Sequence, residues 1–149
     1  MRKSLIAVLV VLVVAVPAVA LALVVTGGSA LDRQNFKATT TSETANSTTF
    51  HDIKGLSGVS ICATRGETVH VMLAFDFGFV VTVRVLDNGA AMRPGAVNVN
   101  NISGDTRDFT FVRSIANGTH RFRVQWAATG GTARMTRGSF AVQYQKGSC

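Results

Sequence analysis

Acidic residues, histidines and cysteines are all scarce in this chain: eight Asp and Glu, three His and two Cys among 149 residues. Each shortage removes a class of chemistry. A glycosidase needs two carboxyls facing each other across a cleft. Glu67 and Asp76 stand at opposite ends of one expected strand and make no such pair. His51, His70 and His120 fall in no i, i+2 or i, i+4 ligand spacing, so no metal motif is written here. Neither cysteine is placed as a nucleophile, and there is no Gly-x-Ser-x-Gly elbow. Asp76-Phe77-Gly78 spells the kinase magnesium motif, but the phosphate loop and catalytic His-Arg-Asp that give it meaning are missing. One Trp and one Tyr leave little for an aromatic sugar platform. Trp126 and Tyr144 fall on apolar strand faces, which leaves Phe36 and Phe50 as the aromatics for such a role. The fifteen basic residues, eleven of them Arg, give a net charge of +7 without ever clustering in a run. That pattern reads as solubilising charge on outer strand faces and not as a nucleic-acid surface.

What the chain has in plenty is apolar length at its start and β-formers after it. Arg2 and Lys3 precede an uncharged apolar run from Leu5 to Val25, which reads as an export signal. The run is long enough to cross a bilayer, which takes about 20 residues. The basic residues before it would leave the N-terminus inside and the domain outside. Pro17 interrupts the run, and Ala20-Leu21-Ala22 and Gly28-Ser29-Ala30 each offer a small-residue cleavage site. Residues 1–30 are therefore a cleaved signal peptide or a retained transmembrane helix, and either places the rest outside the cytoplasm. No Cys follows the run, which argues against a bacterial lipoprotein anchor. Residues 31–47, and Thr48 and Thr49 after them, are rich in Thr and Ser with no apolar period, which predicts a linker or stalk.

Residues 48–149 predict one all-β domain: an antiparallel, jelly-roll-like β-sandwich of about 8–10 short strands, preceded by the N-terminal hydrophobic helix. Expected strands are Phe50–Ile53, Val59–Thr64, Glu67–Phe77, Phe79–Leu86, Ala90–Met92, Ala96–Asn100, Ala133–Thr136 and Ser139–Gln145. Arg65-Gly66, Asn88-Gly89 and Thr129-Gly130-Gly131 read as turns, and Gly138 as a break. The clearest signal is Arg107–Ala127. Asn117-Gly118 reads as the type I′ turn of a hairpin, which sets Ile115 opposite His120, Arg113 opposite Phe122, Phe111 opposite Val124 and Phe109 opposite Trp126. Its apolar face carries Phe109, Phe111, Ile115, Phe122, Val124 and Trp126, with His120 at the turn end as a structural histidine. The second faces of the two central strands hold Met72, Ala74, Val80 and Leu86, an interface for a homo-oligomer or a surface covered by the same chain.

Cys62 and Cys149 read as one disulfide outside the cytoplasm, with two free thiols or an intermolecular bridge through Cys149 as the alternatives. The most site-like loop runs from Asn98 to Asp108. Its oxygen-bearing residues Asn98, Asn100, Asp105 and Asp108 suit a weak calcium site, although the spacing matches no EF-hand and the same residues also make turns. No other cofactor is implied. Asn46, Asn101 and Asn117 each open a glycosylation sequon.

From Asp108 to Tyr144 an apolar strand and an Asn-Gly-Thr-His turn lead into Val-Gln-Trp and a last strand Ser-Phe-Ala-Val-Gln-Tyr. That stretch resembles the closing strands of small exported jelly-roll modules of tumour-necrosis-factor and complement type. The resemblance implies binding or self-association and carries over no contact residue by residue. The sequence thus predicts a non-enzymatic extracytoplasmic binding or structural module with a protein or glycan ligand and no nucleic acid. It touches membrane through Leu5–Val25 if uncleaved. A carbohydrate- or calcium-assisted glycan binder using the Asn98–Asp108 loop is the second reading, and a hydrolase of unrecognised type the third.

Overall fold

The computed structural model describes residues 33–75, 80–100 and 106–149, with side chains apart from those of 65–75. The leader, residues 1–30, lies outside them, as do Asp76-Phe77-Gly78 and Asp105. Ten strands follow in order: β1 (Arg33–Thr39), β2 (Glu43–Ala45), β3 (His51–Asp52), β4 (Val59–Phe75), β5 (Val80–Asp87), β6 (Ala90–Ala91), β7 (Val97–Asn100), β8 (Thr106–Arg113), β9 (Gly118–Ala128) and β10 (Ala133–Lys146). Every pairing is antiparallel, and no helix occurs among the described residues.

The long strand β4 makes this a sandwich. Its first five residues, Val59–Ala63, pair with β9. Its second half pairs with β8 on one side and β10 on the other. All ten strands are joined in one hydrogen-bonded sheet, in the order β1-β10-β4-β9-β5-β6, and β4 divides it into two parts, called the two sheets below: β1 and β2, β10, the end of β4, and β8 in the first, and β3 with the start of β4, β9, β5, and β6 with β7 in the second. Arg93 and Val112 exchange backbone hydrogen bonds of 3.0 and 2.9 Å, which joins the loop after β6 to β8. Period-2 alternation turns Phe111 of β8, Phe122, Val124 and Trp126 of β9, and Phe140 and Val142 of β10 into one core, all fully buried. Burying each such side chain is worth about 1.5–3 kcal/mol.

The Asn117-Gly118 hairpin does not form. β8 pairs with β4 over Glu67–Ala74, while β9 has β5 on one edge and β3 with the start of β4 on the other. Residues 114–117 are an arch from one sheet to the other. Asn117 lacks the positive φ that a type I′ turn requires at its first central residue. The inward set is nevertheless as expected, because alternation belongs to each strand by itself and not to its partner. Asn88-Gly89 does make the tight turn, with φ of 47° and 87°.

Three further boundaries differ from expectation. Arg65-Gly66 is no turn: β4 runs through it, with the register against β10 shifting nearby. Gly138 is no break: β10 is continuous and shifts register between Met135 and Arg137. The Thr/Ser-rich tract is not free linker, because β1 and β2 pair along β10 over most of its length and Ala45 is 1% exposed. Its Thr and Ser residues suit an edge strand whose outer face meets water. Cys62 and Cys149 form the expected disulfide, with a Cα–Cα distance of 5.9 Å.

Candidate functional site

β9 presents Arg121, Arg123 and Gln125 at alternate positions on the outer face of the second sheet. The last of the three, Gln125, is only 7% exposed. Its amide oxygen accepts from Arg84 Nε of β5 at 2.9 Å, and its amide nitrogen donates to Asp52 Oδ1 of β3 at 2.8 Å. The Arg84 guanidinium lies 3.9 Å above the Phe50 ring. Phe50, Arg84, Gln125 and Asp52 thus form one cross-strand row whose members hold each other in place.

Beyond Asp52 the row opens into a shallow basin of about 340 Å³, lined by Asp52, Asn88, Gly89, Arg121 and Arg123. The Arg123 guanidinium is 3.9 Å from Asp52 Oδ2, a loose pairing. Arg121 is exposed and its guanidinium forms no ion pair among the described residues. It lies over Gly58, whose φ of 82° and missing side chain leave a would-be Cβ 3.6 Å from Arg121 Nη2. Asn88 is spent on the backbone: its side chain accepts from Arg121 N at 2.9 Å and donates to Thr119 O at 3.1 Å. The turn is thereby tied to β9.

His120 is buried and structural. Its Nε2 faces the Ala116 carbonyl oxygen at 3.0 Å and its Nδ1 faces Asp87 Oδ1 at 2.8 Å. Arg113 Nε approaches the other Asp87 oxygen at 3.6 Å. The cluster ties β5, the arch and the end of β8 together.

The expected loop fares differently. Asn98 sits on β7 opposite Thr82 of β5, and its side-chain oxygen accepts from Thr82 Oγ1. Asn100 pairs with Val80 on the same strand, whereas Asp108 is on β8 opposite Met72 of β4. Among the described residues no three His, Cys, Asp or Glu side chains gather as a metal site. Leu86, expected on an open second face, is buried, Val80 is 36% exposed, and the side chains of Met72 and Ala74 lie outside the description. Phe36 stands out at 59% exposure, and Trp126 is fully buried. Sequence reasoning missed the Arg121–Arg123 basin. Its one local sign is Arg-x-Arg-x-Gln on a strand, which by itself says only that a face is polar.

No family model matches the chain, and no curated protein matches it by sequence. By structure it is similar to a chain of Bacillus endospore appendages, described as disulfide-linked pili, at 16% identity and TM-score 0.47 over 76% of this chain and 88% of that one. It is also similar to the C-terminal family 6 carbohydrate-binding module of a laminarinase from Zobellia galactanivorans, at 10% identity and TM-score 0.47 over 74% and 99%. A third is Eiger, a tumour necrosis factor from S. frugiperda, at 9% identity and TM-score 0.47 over 78% and 96%. The likeness is a weak one of architecture, to jelly-roll β-sandwich modules of diverse kinds.

Proposed function

We propose that this chain is a non-enzymatic binding module, held outside the cytoplasm, that takes a glycan in the basin on β9. The observation that carries the reading is the braced row Phe50–Arg84–Gln125–Asp52 ending in an open polar hollow. Sugar hydroxyls both donate and accept, so they need both kinds of partner at fixed positions. Asp52 Oδ2 accepts, and the two guanidiniums donate. Prior bracing lowers the entropy lost on binding. The hollow's size suits one or two sugar rings, since small-molecule sites begin at about 300 Å³. The apolar leader and the Cys62–Cys149 bridge support a place outside the cytoplasm.

Titration of the full chain with a panel of neutral and acidic oligosaccharides tests the site. Asp52→Ala is expected to weaken the best ligand at least about tenfold, the loss of one charge-assisted hydrogen bond. Binding of no saccharide at all would overturn the glycan reading. Intact mass from membrane and medium fractions, with and without reductant, tests the location. A full-length membrane species means a retained anchor and a shorter one in the medium a released module. A reduced full-length chain in the cytosol sinks the extracytoplasmic reading.

A further inference from the structure

The basin's charge is unbalanced in a way that a neutral sugar does not use. Two guanidiniums line a hollow that holds one carboxylate, and that carboxylate sits loosely by Arg123 alone and also serves Gln125. The Arg121 main chain is tied to Asn88 and its exposed guanidinium passes over Gly58, but it has no anionic partner among the described residues. A guanidinium presents a planar fork of donors that fits a carboxylate bidentately. Resting on the glycan reading, we propose that the ligand is an acidic saccharide: Arg121 takes the sugar's carboxylate, Arg123 supports it, and Asp52 Oδ2 accepts from a neighbouring hydroxyl.

The presence of Asp52 separates this ligand from a polynucleotide. A nucleic-acid surface neutralises several phosphates in a row with cations. This basin places a carboxylate beside its arginines, which repels a dense polyanion yet suits a ring that carries hydroxyls next to a single charge. No step of bond making or breaking is involved.

The test titrates the full chain with oligomers of galacturonic, glucuronic, mannuronic and guluronic acid. Each is paired with its carboxyl-reduced neutral counterpart, and an oligothymidylate of equal charge is run beside them. At least one acidic oligomer should bind ten times or more tightly than its reduced partner, and that preference should shrink as NaCl rises. Arg121→Gln should collapse the acidic-to-neutral ratio toward one. Arg33→Gln, on the edge strand of the other sheet, should leave the ratio as it is. Arg121 is exposed, so the variant should keep the wild-type melting curve. Equal affinity within every pair, independent of salt, would overturn the acidic assignment and leave the glycan reading standing. Failure of both members of every pair would take the glycan reading down with it. Oligothymidylate binding as tightly as the best uronate would reassign the basin to nucleic acid.

Discussion

At the scale of single residues, Trp126 and Arg121 show how one strand serves two ends. They stand on the same strand with opposite parity, so one faces the core and the other water. Trp126 is 0% exposed, and the His51 ring packs 5.7 Å away at a tilt. Trp126→Ala should lower the unfolding free energy by about 3–5 kcal/mol, read from urea denaturation. A change inside experimental error would mean that the indole is not a core group. Sequence parity predicted the burial of Trp126 correctly. It could not tell Arg121 from Arg123, because what separates them is a carboxylate from β3, far away along the chain.

At the scale of elements, the main lesson lies in β8 and β9. Their alternation and the Asn-Gly between them read as a hairpin. Both edges of β9 are instead filled by strands distant in sequence, and β8 is claimed by β4. Strand pairing is a competition for edges, and local turn propensity is one small contribution to it. The arch is secured by the His120–Ala116 and His120–Asp87 contacts. The same competition explains β1 and β2. A threonine-rich tract has too little apolar period to announce itself, but β10 offers it a full edge of unpaired backbone groups. Lys37 Nζ and Asn35 Nδ2 add bonds to the Ser57 and Ser60 carbonyls, and Glu43 Oε2 accepts from Lys54 N at 2.8 Å. A chain beginning at Thr48 should therefore aggregate or melt well below one beginning at Leu31. Equal melting temperatures by circular dichroism would show that β1 and β2 contribute nothing to stability.

At the scale of the whole molecule, one covalent link frames the behaviour. The disulfide spans a sequence separation of 87 and ties the last residue to β4. Gly147 makes the docking close: a Cβ there would lie 2.5 Å from the Ala63 carbonyl carbon and oxygen. Its N–H donates to Cys62 O at 2.9 Å. In the chain-entropy description a loop of this length stabilises by roughly 4–5 kcal/mol. The double variant Cys62→Ser, Cys149→Ser should lose a large share of that in denaturant titration, and dithiothreitol should have no effect on it. An unfolding midpoint matching that of the oxidised parent would mean that the bridge adds no stability.

The sequence by itself determined the all-β class, the inward faces of β5, β8, β9 and β10, the Asn88-Gly89 turn and the cysteine pair. These follow from short-range rules: side-chain period, the φ that Asn and Gly tolerate, and the count of thiols. Only the tertiary structure decided that β4 passes between two sheets, that β8 and β9 lie in different ones, and that β1 and β2 belong to the domain. It alone placed Asp52, Asn88, Arg121 and Arg123 around one hollow. The reason is physical. Which edges pair, and which side chains meet, depend on every strand's competing partners at once, and no local window of residues contains that information.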